Sequence, residues 1–173
     1  TLDGLKRAQP IEEDRINIAS ELVEVAFREY PPRERIEREI HELEKQFERA
    51  KAEGKYAEAK QVLDRINVLH YPITYFDWVN QKGTVNLEIQ AIRMGDVILL
   101  GIPNEVNVSI GLELKRRAPT DKLIITTLTN GCYMYLLKRE EYEEGGYEAA
   151  ACRLAPGAGE KVTEAALKLM ETI

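Results

Sequence analysis

Two short runs in this chain carry side chains able to do chemistry, and each follows an apolar stretch. The first is Pro103-Asn104-Glu105, directly after Val97 to Ile102. Catalytic and metal-binding groups in α/β sheets gather where buried strands end and loops begin, so a carboxylate there could hold a cation or take a proton. The dipole of a following helix would favour the same carboxylate for purely structural reasons. The second run is Asn130-Gly131-Cys132-Tyr133-Met134-Tyr135, after Leu123 to Leu128. Tyrosines two apart on a strand share one face, which by itself points to packing. Neither run alone establishes an enzyme. Of the two histidines, His41 falls on a charged helix side beside Glu42 and Glu44, and His70 at a helix end. His41 reads as a surface residue, and His70 as one whose charge suits the helix dipole. An exposed Thr1 nucleophile would need a strand at the N-terminus, and Leu2 to Arg7 does not read as one.

These residues need elements to position them. Ile16, Ala19, Leu22, Val23, Ala26 and Tyr30 recur at the helical period and predict a first helix, ended by Pro31-Pro32. Ile36, Ile40, Leu43, Phe47 and Ala50 form a narrow seam, Gly54 stops that helix, and Tyr56, Ala59, Leu63 and Ile66 form a facing seam. Residues 33 to 69 are therefore expected to be an antiparallel helical hairpin. Tyr71 to Trp78 is aromatic, contains a proline and lacks helical period, so an extended connection is expected. From residue 83 the pattern changes. Val85, Leu87, Ile89 and Ala91 alternate as in a half-buried strand, Met94-Gly95-Asp96 reads as a hairpin turn, and 97 to 102 as a buried strand. Glu105 is expected to open a helix ending near Arg117, with Lys115, Arg116 and Arg117 complementing its dipole. A strand at 123 to 128, strand-like residues at 132 to 137, a turn away at 139 to 142 and a last helix from Glu160 to Met170 complete the chain. The fold class is α/β, a mixed sheet with flanking helices carrying an N-terminal helical hairpin. The division is a helical region 1-82 and an α/β region 83-173, together one structural unit.

Taken in order, strand, Pro103-Asn104-Glu105, helix, strand, Asn130 with its tyrosines, Glu140-Glu141-Tyr142, Tyr147-Glu148-Ala149 and Ala155-Pro156-Gly157-Ala158-Gly159-Glu160 resemble the C-terminal part of the catalytic domain of neutral ceramidases and their microbial relatives. The resemblance spans about residues 85 to 172. It implies a zinc-dependent amide hydrolase with water as nucleophile and a metal held by two histidines, a glutamate and a tyrosine. The glutamate falls on Glu105 and the tyrosine on Tyr135, with Tyr133 as the alternative because Cys132 stands where the pattern has its first tyrosine. Tyr135 or Tyr133 would be catalytic, and Asn130 and Tyr142 would bind substrate. Both metal-ligating histidines lie in an earlier part of the family's chain that has no counterpart here, and two protein ligands bind catalytic zinc poorly. An upstream segment or second chain is expected to supply them.

Composition narrows the remaining classes. At 173 residues, 31% of them charged, the chain can build one packed domain under a charged surface. A net charge of -6 provides no overall positive field for nucleic acid or anionic lipid. Cys132 and Cys152 make neither a metal knuckle nor a disulfide scaffold, which fits a reducing compartment and a cytoplasmic location. No apolar run approaches the roughly 20 residues of a membrane span. A start at Thr1 rather than Met suggests a longer parent polypeptide. The expected function is the C-terminal part of a zinc amidase acting on an N-acyl amide or lipid-like small molecule. The alternative is a non-catalytic assembly module whose hairpin binds a protein partner, and homo-oligomerisation is compatible with either.

Overall fold

A computed structural model describes residues 2–10 and 15–173, the side chains of 75–82 excepted; Thr1 lies outside the described residues. In chain order the elements are α1 (Leu2–Arg7), β1 (Ile16–Ala26), α2 (Arg33–Ala52), α3 (Tyr56–Lys82), β2 (Thr84–Met94), β3 (Val97–Gly101), β4 (Glu105–Val106), α4 (Val108–Arg117), β5 (Leu123–Thr126), β6 (Tyr135–Leu136), α5 (Arg139–Glu144), α6 (Tyr147–Ala151) and α7 (Ala158–Glu171). A four-stranded sheet has the order β1-β2-β3-β5, and β4 pairs with β6 in a separate two-stranded ladder. β1, β2 and β3 are antiparallel in turn, while β3 and β5 are parallel across α4. The mixed α/β class and the helical hairpin are both present.

One face of the sheet is covered. Val23 and Val25 of β1, Leu87, Ile89 and Ala91 of β2, and Ile98 and Leu100 of β3 are buried together with Ile110 and Leu114 of α4 and Val162, Ala166 and Met170 of α7. Burying side chains of this size contributes roughly 1.5–3 kcal/mol each, which makes this layer the main source of stability. α7 approaches closely because Gly159 has no side chain: a Cβ there would collide with the Leu137 carbonyl.

The structure corrects several expectations. Residues 16 to 26 are a strand, not a helix. Val23, Val25 and Phe27 are buried while Leu22, Glu24 and Ala26 are exposed, a period of two that the wider spacing of the apolar residues had obscured. The β-branched Ile16, Ile18, Val23 and Val25 fit the pleated backbone. Pairing with β2 is unbroken from Ile16↔Met94 to Ala26↔Thr84, so the long-range partner settles the local ambiguity.

The hairpin is formed by α2 and α3, with Gly54 at φ +70° between them. Its seam on α2 is Ile36, Ile40, Leu43 and Ala50 as expected. On α3, Ile66 is buried and Val62, Leu69 and Ile73 pack against it, whereas Leu63 and Tyr56 are exposed. Tyr71 to Trp78 continues α3 instead of forming an extended connection. Pro72 lacks the N–H a helix interior uses, which is why a break was expected. Here Pro72 is buried, the Thr74 hydroxyl donates to the His70 carbonyl at 2.9 Å, and Tyr71 is anchored to the body.

The whole hairpin interrupts the connection between two paired strands. Ala26 sits opposite Thr84, and the Phe27 N–H donates to the Gly83 carbonyl at 3.0 Å. It enters and leaves the sheet at one point.

Candidate functional site

Glu105 does not begin a helix. Asn104 takes φ +72°, a conformation Asn tolerates better than most residues, and the chain turns there into the short strand β4. α4 starts only at Val108, capped by Asn107, whose side chain accepts from the Ser109 N–H at 3.0 Å. Of the residues 132 to 137 expected as a strand, only Tyr135 and Leu136 pair; Met134 has φ +67° and breaks the run. β5 likewise stops at Thr126 rather than 128, and Leu128 has φ +59°.

These breaks produce the site. Glu105 pairs directly with Tyr135 and Val106 with Leu136 in a parallel ladder, held by Glu105 N–H to Met134 O at 2.9 Å and Asn107 N–H to Leu136 O at 3.1 Å. Register partners in neighbouring strands present side chains to the same face, so the carboxylate and the phenol lie side by side across 30 positions of sequence. Desolvation raises the Tyr135 pKa first. The Glu105 charge and hydrogen bonding raise it further, with smaller effects of Glu148 and Tyr71. Tyr135 is therefore neutral around pH 7 and stands beside the Glu105 side chain.

Asn104 organises this geometry, and composition alone gave no sign of it. It is fully buried. Its Oδ1 accepts from the Tyr133 N–H at 3.2 Å, its Nδ2 donates to the Tyr135 carbonyl at 3.4 Å, its N–H donates to the Gly131 carbonyl at 3.1 Å, and its carbonyl accepts from the Leu128 N–H at 3.0 Å. One residue, through its side chain and its backbone, thus fixes the loop that brings Tyr135 to Glu105. The available signal was an Asn at the end of a buried strand, where a positive φ and a buried amide often coincide.

Beyond Tyr135 lies a second tyrosine cluster. The Tyr135 and Tyr147 rings meet edge to face at 6.0 Å, and Tyr147 meets Tyr71 at 6.5 Å with hydroxyls 3.3 Å apart. The Tyr147 pKa is pushed up to about 12, first by the hydrogen bond to Tyr71, then by the Tyr71 charge, desolvation, Tyr135 and Glu105. Tyr71 belongs to the helical hairpin. With Asp64, Arg65, Asn67, Val68, His70, Thr74 and Gly146, these two tyrosines line an open cleft of about 850 Å³.

The other expected site residues are placed differently. Tyr133 packs edge to face on Phe27 at 6.0 Å. Asn130 is exposed in the loop with φ +63°. The Tyr142 hydroxyl donates to the Leu154 carbonyl and lies 2.8 Å from Cys152 Sγ, and burial drives its pKa strongly upward. The Arg28 guanidinium sits 5.9 Å over the Tyr142 ring and 5.8 Å over that of Tyr30. Glu141, beside it, accepts from the Lys138 N–H at 2.6 Å and from the Ser109 hydroxyl, tying α5 to the start of α4. His41 is exposed on α2, 3.7 Å from Glu44, and His70 is exposed on α3. Cys132 and Cys152 are both free thiols, the first exposed and the second buried.

The donor set tests the implied zinc. Carboxylate and phenol oxygens suit a divalent cation, but among the described residues no three His, Cys, Asp or Glu side chains converge on a metal position. Catalytic zinc normally has three protein ligands. These residues fit half of such a site and do not complete one. Among the described residues, no helix is long and apolar enough to cross a membrane.

No protein-family model and no curated protein matches this chain. Among solved structures, it is similar to neutral ceramidase from Pseudomonas aeruginosa, with 24% identity over 50% of this chain and 15% of that one, at a TM-score of 0.45. It is also similar to a ceramidase complexed with C2, with 23% identity over 50% of this chain and 14% of that one, at a TM-score of 0.38. The chain thus spans well under two thirds of the length of either protein.

Proposed function

We propose that this chain is the C-terminal part of a zinc-dependent amide hydrolase resembling neutral ceramidase, cleaving an N-acyl or lipid-like amide. The observation that carries this reading is the register pairing of Glu105 with Tyr135, two residues assigned adjacent roles by the motif order alone. Glu105 and Tyr135 would be two of the metal ligands, and two histidines from an upstream segment or second chain would be the others. A zinc ion so held supplies a Lewis acid that acidifies bound water and polarises the amide carbonyl.

The chain's own residues would act as follows. Glu105 contributes negative charge and an acceptor at a fixed backbone position. Tyr135 would either ligate the metal through its phenol oxygen or, where it is not bound to it, donate to the oxygen that gains charge when water adds to the amide carbon. Asn104 holds the two together. Tyr147 and Tyr71 close the apolar side of the phenol and limit its exposure to water. Asn130 and Tyr142 are proposed to bind substrate, Asn130 from the exposed loop and Tyr142 through its ring.

The test is metal content and intact mass of the protein isolated from its native source, alongside Glu105→Gln. Near-stoichiometric zinc in the wild type that is lost in the variant supports the reading. Absence of any bound divalent transition metal in the native protein would refute it.

A further inference from the structure

β1 is an edge strand of 11 residues, since among the described residues the sheet order places only β2 beside it. Long edges expose a row of backbone donors and acceptors, and proteins usually blunt them with charged side chains, lysine above all, with proline, a bulge or a cover. The sequence Ile-Asn-Ile-Ala-Ser-Glu-Leu-Val-Glu-Val-Ala contains no proline and no lysine, its charged residues are Glu21 and Glu24, and its pairing with β2 runs without a bulge. Among the described residues only its C-terminal end is covered. There the Ala155 N–H donates to the Ala26 carbonyl at 2.9 Å, the Arg28 N–H donates to the Arg153 carbonyl at 2.8 Å, and Phe27 bridges Leu154.

Those bonds also reveal which backbone groups face outward. Ala26 and Arg28 point to the open edge, whereas the Phe27 N–H points to Gly83 on the β2 side. By strand alternation, residues 16, 18, 20, 22 and 24 present their N–H and C=O to the open edge. Their side chains lie on the sheet face opposite the core. That face is apolar at one end: Ile18, Ile92, Leu99 and Ile124 are register partners across all four strands, and Ile16, Met94 and Val97 form the next row. Ile16, Ile18, Leu22 and Ile124 are 60%, 61%, 63% and 53% exposed.

We propose that β1 is a self-association edge, on which a second copy of this chain pairs its own β1 antiparallel about a two-fold axis at Ser20. The strand's own sequence selects this occupant. Centred on Ser20, the overlap runs from 16 to 24, and Ile18 of each copy lies across from Leu22 of the other. Both apolar residues are thereby covered twice over, the isologous arrangement of a two-fold dimer. Glu21 then faces Ala19 and Glu24 faces Ile16, so no carboxylates oppose. A centre one residue later, at Glu21, would set two carboxylates against each other. Residues 16, 18, 20, 22 and 24 all use outward backbone groups in this register, so each meets a hydrogen-bonding partner. The result is one continuous eight-stranded sheet.

The test is solution mass combined with site-directed cross-linking of the full chain. Light scattering at about 100 µM, well above the Kd of an ordinary micromolar dimer, should give twice the 19.7 kDa chain mass. In a Cys132→Ser background, Ser20→Cys should form a disulfide-linked dimer under mild oxidation, because directly opposed Cα atoms lie about 5.5 Å apart. Glu24→Cys should not cross-link to itself. Ser20→Pro removes an outward N–H and should yield a folded monomer; if it fails to fold, Ile18→Lys with Leu22→Lys is used instead. A monomeric wild type, a folded Ser20→Pro or lysine variant that still dimerises, or cross-linking through Glu24→Cys in place of Ser20→Cys would each overturn the proposal.

Discussion

Asn104 is the residue on which the geometry of the candidate site most depends. Replacing it with Ala leaves the Tyr133 N–H and the Tyr135 carbonyl without their side-chain partner and keeps a strained positive φ, a combination expected to cost about 3 kcal/mol. Asn104→Gly keeps the φ without strain, so urea titration should find it less destabilised than Asn104→Ala. Equal losses in the two variants would mean that backbone strain contributes little here. Glu113 supplies a prediction about acid stability. Hydrogen bonds from Lys138 and then Arg117 hold its pKa below the usual carboxylate value. A carboxylate with a depressed folded pKa contributes stability above its unfolded pKa of about 4.3, and that contribution disappears as pH falls through the folded pKa. Glu113→Gln should therefore flatten the stability–pH slope below about pH 4.3, measured by urea midpoints from pH 2 to 6 in about one-unit steps. An unchanged slope would assign the acid sensitivity to other groups. At this scale the sequence was informative about which side chains meet, since Glu105 and Tyr135 were legible from motif order. Asn104 was not, because its importance lies in four hydrogen bonds to distant backbone.

At the scale of elements, the helical hairpin was legible and the first strand was not. The seams of α2 and α3 are local, repeated every three or four residues, and bounded by a glycine able to adopt positive φ. β1 could be recognised only through β2, whose register partners lie 58 to 78 positions away, because a few apolar residues in 16 to 30 fit two periods equally well. The helix through Pro72 was hidden for a related reason: local propensity opposes it, and contacts at Pro72 and Tyr71 outweigh that opposition. Because Ala26 and Thr84 are register partners at the hairpin's base, replacing residues 33 to 82 with a flexible linker should leave the sheet, α4 and α7 folded. Circular dichroism should show loss of helix with a cooperative melt retained. Complete loss of soluble protein would show that the hairpin is required for folding. Gly54→Ala tests the turn between the helices and should cost about 1 kcal/mol, since alanine is strained at φ +70°.

For the whole molecule, the proposed hydrolase reading turns on the number of metal donors the chain could supply. A carboxylate and a phenol side by side, with no group of three His, Cys, Asp or Glu side chains converging among the described residues, predict that this chain alone has little amide hydrolase activity. Robust, chelator-sensitive hydrolysis of N-acyl amides by residues 1 to 173 would contradict both the donor count and the proposed need for outside histidines. The class of fold followed from the change in pattern near residue 83, where heptad-like seams give way to alternation and buried runs. The edge at β1 and the bare face of the sheet did not follow from that change, because both depend on strand order.

The β4–β6 ladder is only two residues long, and that brevity makes the candidate site all-or-none. Side chains alternate sides along a strand, so a slip of one position would bring Met134 or Leu136 opposite Glu105 and turn the phenol to the far side. No intermediate register offers a weakened version of the same pair. Insertions or deletions of a single residue between Gly131 and Tyr135 should thus erase the site while sparing the four-stranded sheet. Substitutions in the same stretch, with length preserved, should be tolerated far more readily. Loop length here acts as a spelling rule: a slip of one position exchanges a carboxylate–phenol pair for a carboxylate–thioether or carboxylate–aliphatic one.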